Sequence, residues 1–221
     1  MLRDLGHAPD RIGSKPMPSD TPVVFVVDDD ISIRESLELL IRSAGWSPEI
    51  FGSARDFLAR PSRTVPNCLV LDVNLPELSG LALQQLIAVE RSEMPIIFIT
   101  GYGDVPTSVK AMKAGAVEFL TKPFNEDVLL AAIDQALDRS RIALAEQSDL
   151  QMLRQRYSSL SRREKQVLTL VVSGRLNKQI AFELGISEIT VKAHRGQMVR
   201  KMGAKSLPDL VSMAARLRIE N

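Results

Sequence analysis

From Val23 onward, short apolar runs alternate with stretches in which apolar residues recur every three or four positions. Runs of four or five apolar residues suit strands buried on both faces. The three-four spacing suits helices with one buried stripe. Such runs fall at 23–27, 68–71 and 96–99; a fourth, 117–120, is interrupted by Glu118, and a further short strand is expected at about 47–51. The first helix follows 23–27, with Ile33, Leu37, Leu40, Ile41 and Ala44 on one face and Gly45 as C-cap. Ser53 and Asp56 make a capping pair for a second helix. Two more are predicted at about 81–91 and 106–114. Strands alternating with helices specify an α/β fold, a doubly wound five-stranded parallel sheet of order 2-1-3-4-5.

After residue 126 the strand signal stops. Residues 126–157 hold no proline or glycine. Leu130, Ile133, Leu137 and Leu144 keep one helical register, and Leu150, Leu153, Tyr157 and Leu160 keep another, displaced one. This predicts a last helix of the sheet domain running into a helical linker, with the spacing of a short coiled coil carrying a stutter. A surface helix followed by a loose tether is the alternative. Four helices follow, at about 162–173, 178–184, 188–202 and 207–216, an all-α domain. Gly174, Gly185 and Gly203 end the first three, and Asn177, Ser187 and Ser206 are placed to start the next. The turn Leu184-Gly185-Ile186-Ser187 between two short helices has helix-turn-helix layout.

These patterns divide the chain into a leader (1–20), a sheet domain (21–140), a helical linker (141–157) and a helical domain (158–221). The leader holds Pro9, Pro16, Pro18, Gly6 and Gly13 without periodicity and reads as disordered. Met17 is a second candidate start. Apolar residues at 45% and charged residues at 25% match a soluble globular protein. No apolar run approaches the roughly 20 residues of a membrane span, and the N-terminus lacks the apolar core of a signal peptide. Cys68 stands alone, so neither an intrachain disulfide nor a cysteine metal cluster is available. The expected location is the cytoplasm, with no membrane partner.

The net charge of +1 hides a split. Residues 21–125 carry 9 Lys and Arg against 13 Asp and Glu, a net of −4, while residues 158–221 carry 12 against 5, a net of +7. Surplus carboxylates suit a cation site, and a small basic domain suits a polyanion such as DNA.

The acidic chemistry sits at strand ends. Asp28 and Asp29 follow the first strand and Asp72 ends the third. In order 2-1-3-4-5 these strands are neighbours, so the three carboxylates converge. Their mutual repulsion is relieved by a hard divalent cation, and oxygen ligands suit Mg²⁺. Strand four ends in Thr100, and Lys122-Pro123 follows strand five. An acid cluster, a hydroxyl and a lysine at one sheet edge make a phosphoryl site. Singly, an Asp after a strand is usually a turn residue, and a Lys-Pro pair is usually a loop. The ordered set is specific because each member ends a different strand.

The basic chemistry centres on the third terminal helix. Val191, Met198 and Met202 share one face and are expected in the core, while Lys192, Arg195, Gly196 and Val199 share another, cationic and nearly flat. Such a face suits approach to a major groove. Gly196 costs about 1 kcal/mol of helix stability relative to Ala but permits close backbone approach. Lys178, Arg200 and Lys201 are candidate phosphate contacts. His194 lies at the core edge and reads as a packing or phosphate-contacting residue. A metal role does not suit it, since the other histidine is His7 in the leader.

Residues 22–140 resemble the receiver domains of bacterial two-component response regulators. The resemblance is carried by Val27-Asp28-Asp29, Asp72-Val73-Asn74-Leu75-Pro76, Gly80, Thr100-Gly101, Lys113-Ala114-Gly115-Ala116 and Lys122-Pro123-Phe124. It implies that Asp72 accepts phosphate from a histidine kinase. It further implies that Asp29, Asp72 and the main-chain carbonyl of Asn74 hold Mg²⁺ (or Mn²⁺), with Asp28 helping through water. Lys122 would touch the phosphoryl group, with a cis bond to Pro123. Thr100 would turn toward the phosphate and Phe119 would follow it. Many relatives have Tyr at that position, so the hydroxyl-based part of such a switch has no counterpart here. As a plain core residue, Phe119 would carry no signal.

Residues 158–218 resemble LuxR-type helix-turn-helix domains of the FixJ/NarL subfamily. The motifs are Leu160-Ser161-Arg162-Arg163-Glu164, Asn177-Lys178-Gln179-Ile180-Ala181 and Thr190-Val191-Lys192-Ala193-His194. The likeness implies a helix-turn-helix at about 177–196, double-stranded promoter DNA as ligand, and dimer contacts from 207–216. Lys178, Thr190, Lys192, Ala193, His194, Arg195, Gly196, Arg200 and Lys201 are the candidate DNA-binding residues. The implied function is transcription regulation, as activation, with phosphorylation driving homodimerisation and RNA polymerase as a further partner. The implied enzymology is limited to the receiver's own phosphorylation and dephosphorylation. Three rivals are weaker. A phosphate-independent receiver conflicts with the intact acidic set, an aspartate-nucleophile phosphatase needs a substrate pocket, and a flavin phosphate would be repelled by the carboxylates.

Overall fold

The computed structural model describes residues 21–61, 63–91 and 93–219. The expected leader, 1–20, lies outside them. The chain parts into two compact units between Leu144 and Ala145.

The first unit contains β1 (Val23–Val27), α1 (Ile31–Ser43), β2 (Ser47–Phe51), α2 (Ala54–Leu58), β3 (Asn67–Asp72), α3 (Gly80–Glu90), β4 (Ile96–Thr100), α4 (Val105–Lys113) and β5 (Glu118–Thr121). The five strands are parallel in the order β2-β1-β3-β4-β5. Side chains alternate across the sheet. Phe25, Val27, Leu69, Leu71 and Phe98 join Phe57, Leu83 and Ile87 on one face. Val24, Val26, Val70, Ile97 and Ile99 join Leu37, Ile41, Leu129, Ile133 and Leu137 on the other. Each such fully buried side chain contributes roughly 1.5–3 kcal/mol, so neither face can slip register by one residue.

That register builds the upper edge of the sheet. Val27 pairs with Leu71, Asp72 with Ile99, and Thr100 with Thr121. One step further along, Asp28, Asp72, Thr100 and Lys122 emerge at neighbouring strand ends.

Two expected core positions differ. Ala44 is exposed, because it caps α1 and the chain turns away at Gly45, whose φ is +87°. On the next long helix, α5 (Glu126–Ser158), Leu129 is fully buried and Leu130 only partly. The buried stripe there is completed by Ala132, Ala136 and Ser140, small residues that hydrophobic spacing alone passes over.

α5 runs unbroken for 33 residues, through the segment expected as a helical linker. Its last turns belong to the second unit, with α6 (Arg162–Val172), α7 (Asn177–Leu184), α8 (Glu188–Met202) and α9 (Leu207–Arg216). Leu153 and Leu160 are buried with Val167, Leu168, Ile180, Val191, Met198, Met202 and Leu210, and Tyr157 packs against them. Gly174, Gly185 and Gly203 have φ of +79°, +66° and +72°, so each occupies the left-handed position that ends a helix. Ser187 and Ser206 cap α8 and α9 as expected. Asn177 does not cap α7. It is the first residue of the helix, and its side-chain oxygen is taken by Arg195. The helix start is instead closed by Gln179, which accepts from the Leu176 N–H. Among the described residues, no helix is long and apolar enough to cross a membrane.

Candidate phosphoryl site and nucleic-acid interface

At the sheet edge, Lys122 Nζ donates to Asp28 Oδ2 at 2.6 Å and to Asp72 Oδ2 at 2.8 Å. Asp28 is fully buried and Asp72 nearly so, whereas Asp29 is exposed at the mouth. Carboxylate oxygens of all three lie within 4.8 Å of one another. Burial pushes the Asp28 carboxyl above its ordinary value, against the bonds from Lys122 and the Asp30 N–H. Burial pulls the Lys122 ammonium down, but its bonds to Asp28 and Asp72 outweigh this and hold it above the ordinary lysine value. Asp30, third in the acidic run, is excluded from the cluster because it caps α1, accepting from Ser32 N.

Asn74 joins two parts of the site. Its N–H donates to Asp72 Oδ1 (3.0 Å) and its side-chain amide to Thr100 Oγ1 (3.3 Å). Thr100 is buried, and its hydroxyl donates to the Tyr102 carbonyl while accepting from the Tyr102 N–H. Phe119 is half-buried and stacks at a tilt on Phe98, with ring centroids 6.1 Å apart. The Lys122–Pro123 peptide is cis.

Two further residues shape this edge. Arg34 donates from Nη1 to the Asp28 carbonyl oxygen at 2.7 Å, holding the acidic turn from α1. In the sequence it looks like any solvated helix arginine. Gly80 lets the loop after β3 fold back. Its N–H bonds the Val73 carbonyl, and a Cβ there would strike the Asp72 carbonyl oxygen. The oxygen-only donor set, two parts buried and one open to solvent, fits a hard divalent cation.

In the second unit α7, the Gly185 turn and α8 form the helix-turn-helix. Val191, Met198 and Met202 are buried, as expected. Lys192, Ala193, Gly196 and Arg200 are exposed along α8, and Lys178 is exposed on α7. Thr190 is half-buried in the first turn, its hydroxyl 2.8 Å from that of Ser187. His194 is half-buried. Two residues expected on the flat cationic face, Val199 and Arg195, and one candidate phosphate contact, Lys201, have partners within the fold. Val199 packs against the core. Arg195 is half-buried and donates to Asn177 Oδ1 at 2.6 Å, tying α8 to α7. Lys201 donates to Glu164 Oε2 at 2.7 Å, tying the end of α8 to the start of α6. Glu164 is buried at the start of α6, where it and Ser161 form a capping box.

A doubly wound α/β unit with this edge, followed by a helix-turn-helix unit, defines a receiver-type regulator joined to a DNA-binding domain. The family described as response regulator receiver domain matches residues 24–134. Bacterial regulatory proteins of the luxR family match residues 158–214. Response regulator protein TodT of Pseudomonas putida F1 is 46% identical over 213 residues, covering 96% of this chain and 94% of TodT. Transcriptional regulatory protein FixJ of Rhizobium meliloti is 43% identical over 191 residues, covering 86% and 94%. The solved structure of response regulator StyR aligns with a TM-score of 0.77 at 47% identity, covering 89% of this chain and 99% of that one. The chain belongs to the two-component response regulators with a LuxR-type DNA-binding domain, and is a transcriptional regulator.

Proposed function

We propose that Asp72 is the phospho-acceptor and that its phosphorylation by a sensor histidine kinase switches the protein into a dimeric, promoter-binding activator. The observation that carries this reading is the Lys122 ammonium bridging Asp28 and Asp72 at the sheet edge. A carboxylate oxygen of Asp72 attacks the phosphorus of the kinase phosphohistidine. The P–N bond breaks, and its electron pair stays on the histidine nitrogen, which takes up a proton. Lys122 neutralises the phosphoryl oxygens. Asp29, Asp72 and the Asn74 carbonyl would hold Mg²⁺ (or Mn²⁺), with Asp28 acting through water. The bound cation supplies further charge neutralisation. Thr100 gives up the Tyr102 carbonyl to donate to the phosphoryl group, and Phe119 moves with it.

The dimer forms through α4, β5 and α5. Lys110, Lys113, Glu118, Asp127 and Asp134 place both signs of charge there, and Val105, Val109 and Met112 of α4 are exposed. Such a surface suits a self-complementary two-fold contact. Two basic domains held together engage two half-sites and gain avidity without new base contacts. RNA polymerase is the onward partner, the compartment is the cytoplasm, and catalysis is confined to the receiver's own phosphorylation and dephosphorylation. Acetyl phosphate with Mg²⁺ labels the wild type and leaves Asp72→Ala unlabelled; strong labelling of Asp72→Ala would sink the assignment.

A further inference from the structure

Two cations cross between the ends of α5 and α8, each serving the other helix. Arg156, in the last turn of α5, donates from Nη1 to the carbonyl oxygen of Met202, the final residue of α8, at 3.2 Å. Lys201, in the last turn of α8, donates from Nζ to the carbonyl oxygen of Ser159, just beyond α5, at 3.3 Å. The last carbonyls of a helix have no partner within it and carry the negative end of its dipole. A cationic donor answers both conditions.

At α8 the glycine turn covers only part of this need. The Gly203 N–H takes the Val199 and Arg200 carbonyls, and the Ala204 N–H takes Val199 again. The Met202 carbonyl is met by Arg156 from another helix. The approach is close, since a Cβ on Gly203 would lie 2.8 Å from Arg156 Nη1. Lys201 is in turn fixed by Glu164, whose Oε2 also accepts from the Ser161 N–H at 2.7 Å. Leu153 and Tyr157 of α5 complete the apolar side of the seam in the core that holds Met198 and Met202.

We propose that Arg156 is a positioning residue for DNA reading. From the last turn of α5 it fixes the C-terminal end of α8, and with it the angle at which Lys192 and Gly196 meet the groove. This rests on α8 being the helix that meets base edges. At about 1.5 Å of rise per residue, Lys192 stands roughly 15 Å from Met202. A tilt of about 5° at the clasped end therefore moves Lys192 by about 1 Å, more than a side-chain hydrogen bond tolerates.

The test uses the full-length protein and two duplexes. One is selected by the wild type from a random pool, and the other is scrambled at the same composition. Arg156→Ala lowers the ratio of selected to scrambled affinity about tenfold, the size expected for one charge-assisted hydrogen bond. Arg156→Lys, which keeps a cationic donor, stays within about threefold. An unchanged ratio in Arg156→Ala overturns the proposal. So does an equal loss on both duplexes, which reports only a smaller folded fraction, and so does an Arg156→Lys loss as large as that of Arg156→Ala. Lys192→Ala separates the premise from the proposal. If it leaves the selected motif unchanged, the assignment of α8 as reading helix fails. If it shifts the motif while Arg156→Ala holds the wild-type ratio, only the clasp fails.

Discussion

Lys122 lies 50 residues beyond Asp72 in the chain, yet its ammonium is 2.8 Å from the Asp72 carboxylate. The parallel register of β3, β4 and β5 brings the two together. The same ammonium keeps fully buried Asp28 in a charged pair. Truncating one partner of such a pair costs roughly 3–5 kcal/mol, because the other is left uncompensated. Lys122→Ala should therefore lower the denaturation midpoint of the receiver in the absence of divalent cations, and added Mg²⁺ should restore part of it. The variant should bind Mg²⁺ but gain little DNA affinity from a phosphodonor. Normal switching in a DNA titration would remove Lys122 from the phosphate-sensing role.

The two units should respond to pH through different groups. In the second, the bond from Lys201 holds the Glu164 carboxyl below its ordinary value, with further help from Ser161. A carboxyl depressed in the folded state contributes stability that is present above its unfolded pKa. That contribution is lost as pH falls through the folded value. Asp28 has the opposite sign. Its raised value means the folded state holds a proton longer, so its contribution declines as pH rises through the window above 3.8. Glu164→Gln should flatten the acid limb of unfolding for residues 145–221 and leave the receiver's limb unchanged. An acid limb as steep as wild type would show that Glu164 does not set it.

Dimerisation and masking of α8 by the receiver make different forecasts for DNA binding. Under dimerisation, the fragment 145–221 should bind no better than the unphosphorylated full chain, and its binding should fall steeply with salt as counterions are released. Under masking it should bind markedly better. The fragment should begin at 145, because a start at 158 discards Leu153 and Arg156, which pack on or clasp the helical core. Light scattering of the phosphorylated chain supplies a second check. A monomer at concentrations where DNA binding is already enhanced would rule out the dimer. Moving a switch from 1:99 to 99:1 takes about 5.5 kcal/mol, within reach of several charge-assisted contacts to one phosphoryl group.

The fold and the acidic edge were largely legible in the sequence because each rests on a local signal. Apolar runs mark most of the strands, and the residues just beyond each run fall at the sheet edge. Asp28, Asp72, Thr100 and Lys122 could thus be brought together before any side chain was placed. The residues that sequence reading missed act across long separations on ordinary-looking surfaces. Arg34 holds a main-chain carbonyl, and Arg156 and Lys201 exchange carbonyls between helix ends. A lysine or arginine that reaches a carbonyl has no periodicity to announce it. Lys201 and Arg195, expected at DNA, also engage Glu164 and Asn177, contacts that nothing in the sequence marks. The small residues of the α5 stripe were hidden differently, since Ala132, Ala136 and Ser140 pack closely without being strongly apolar.

The central claim is that a phosphoryl group on Asp72 controls DNA binding. Its most direct test is the affinity of the full-length protein for a duplex selected from a random pool, measured with and without acetyl phosphate and Mg²⁺, for wild type and Asp72→Ala in parallel. The phosphodonor should tighten binding by the wild type and leave Asp72→Ala at the unphosphorylated wild-type level. Equal tightening of both proteins, or a fully labelled wild type whose affinity does not change, would contradict the account.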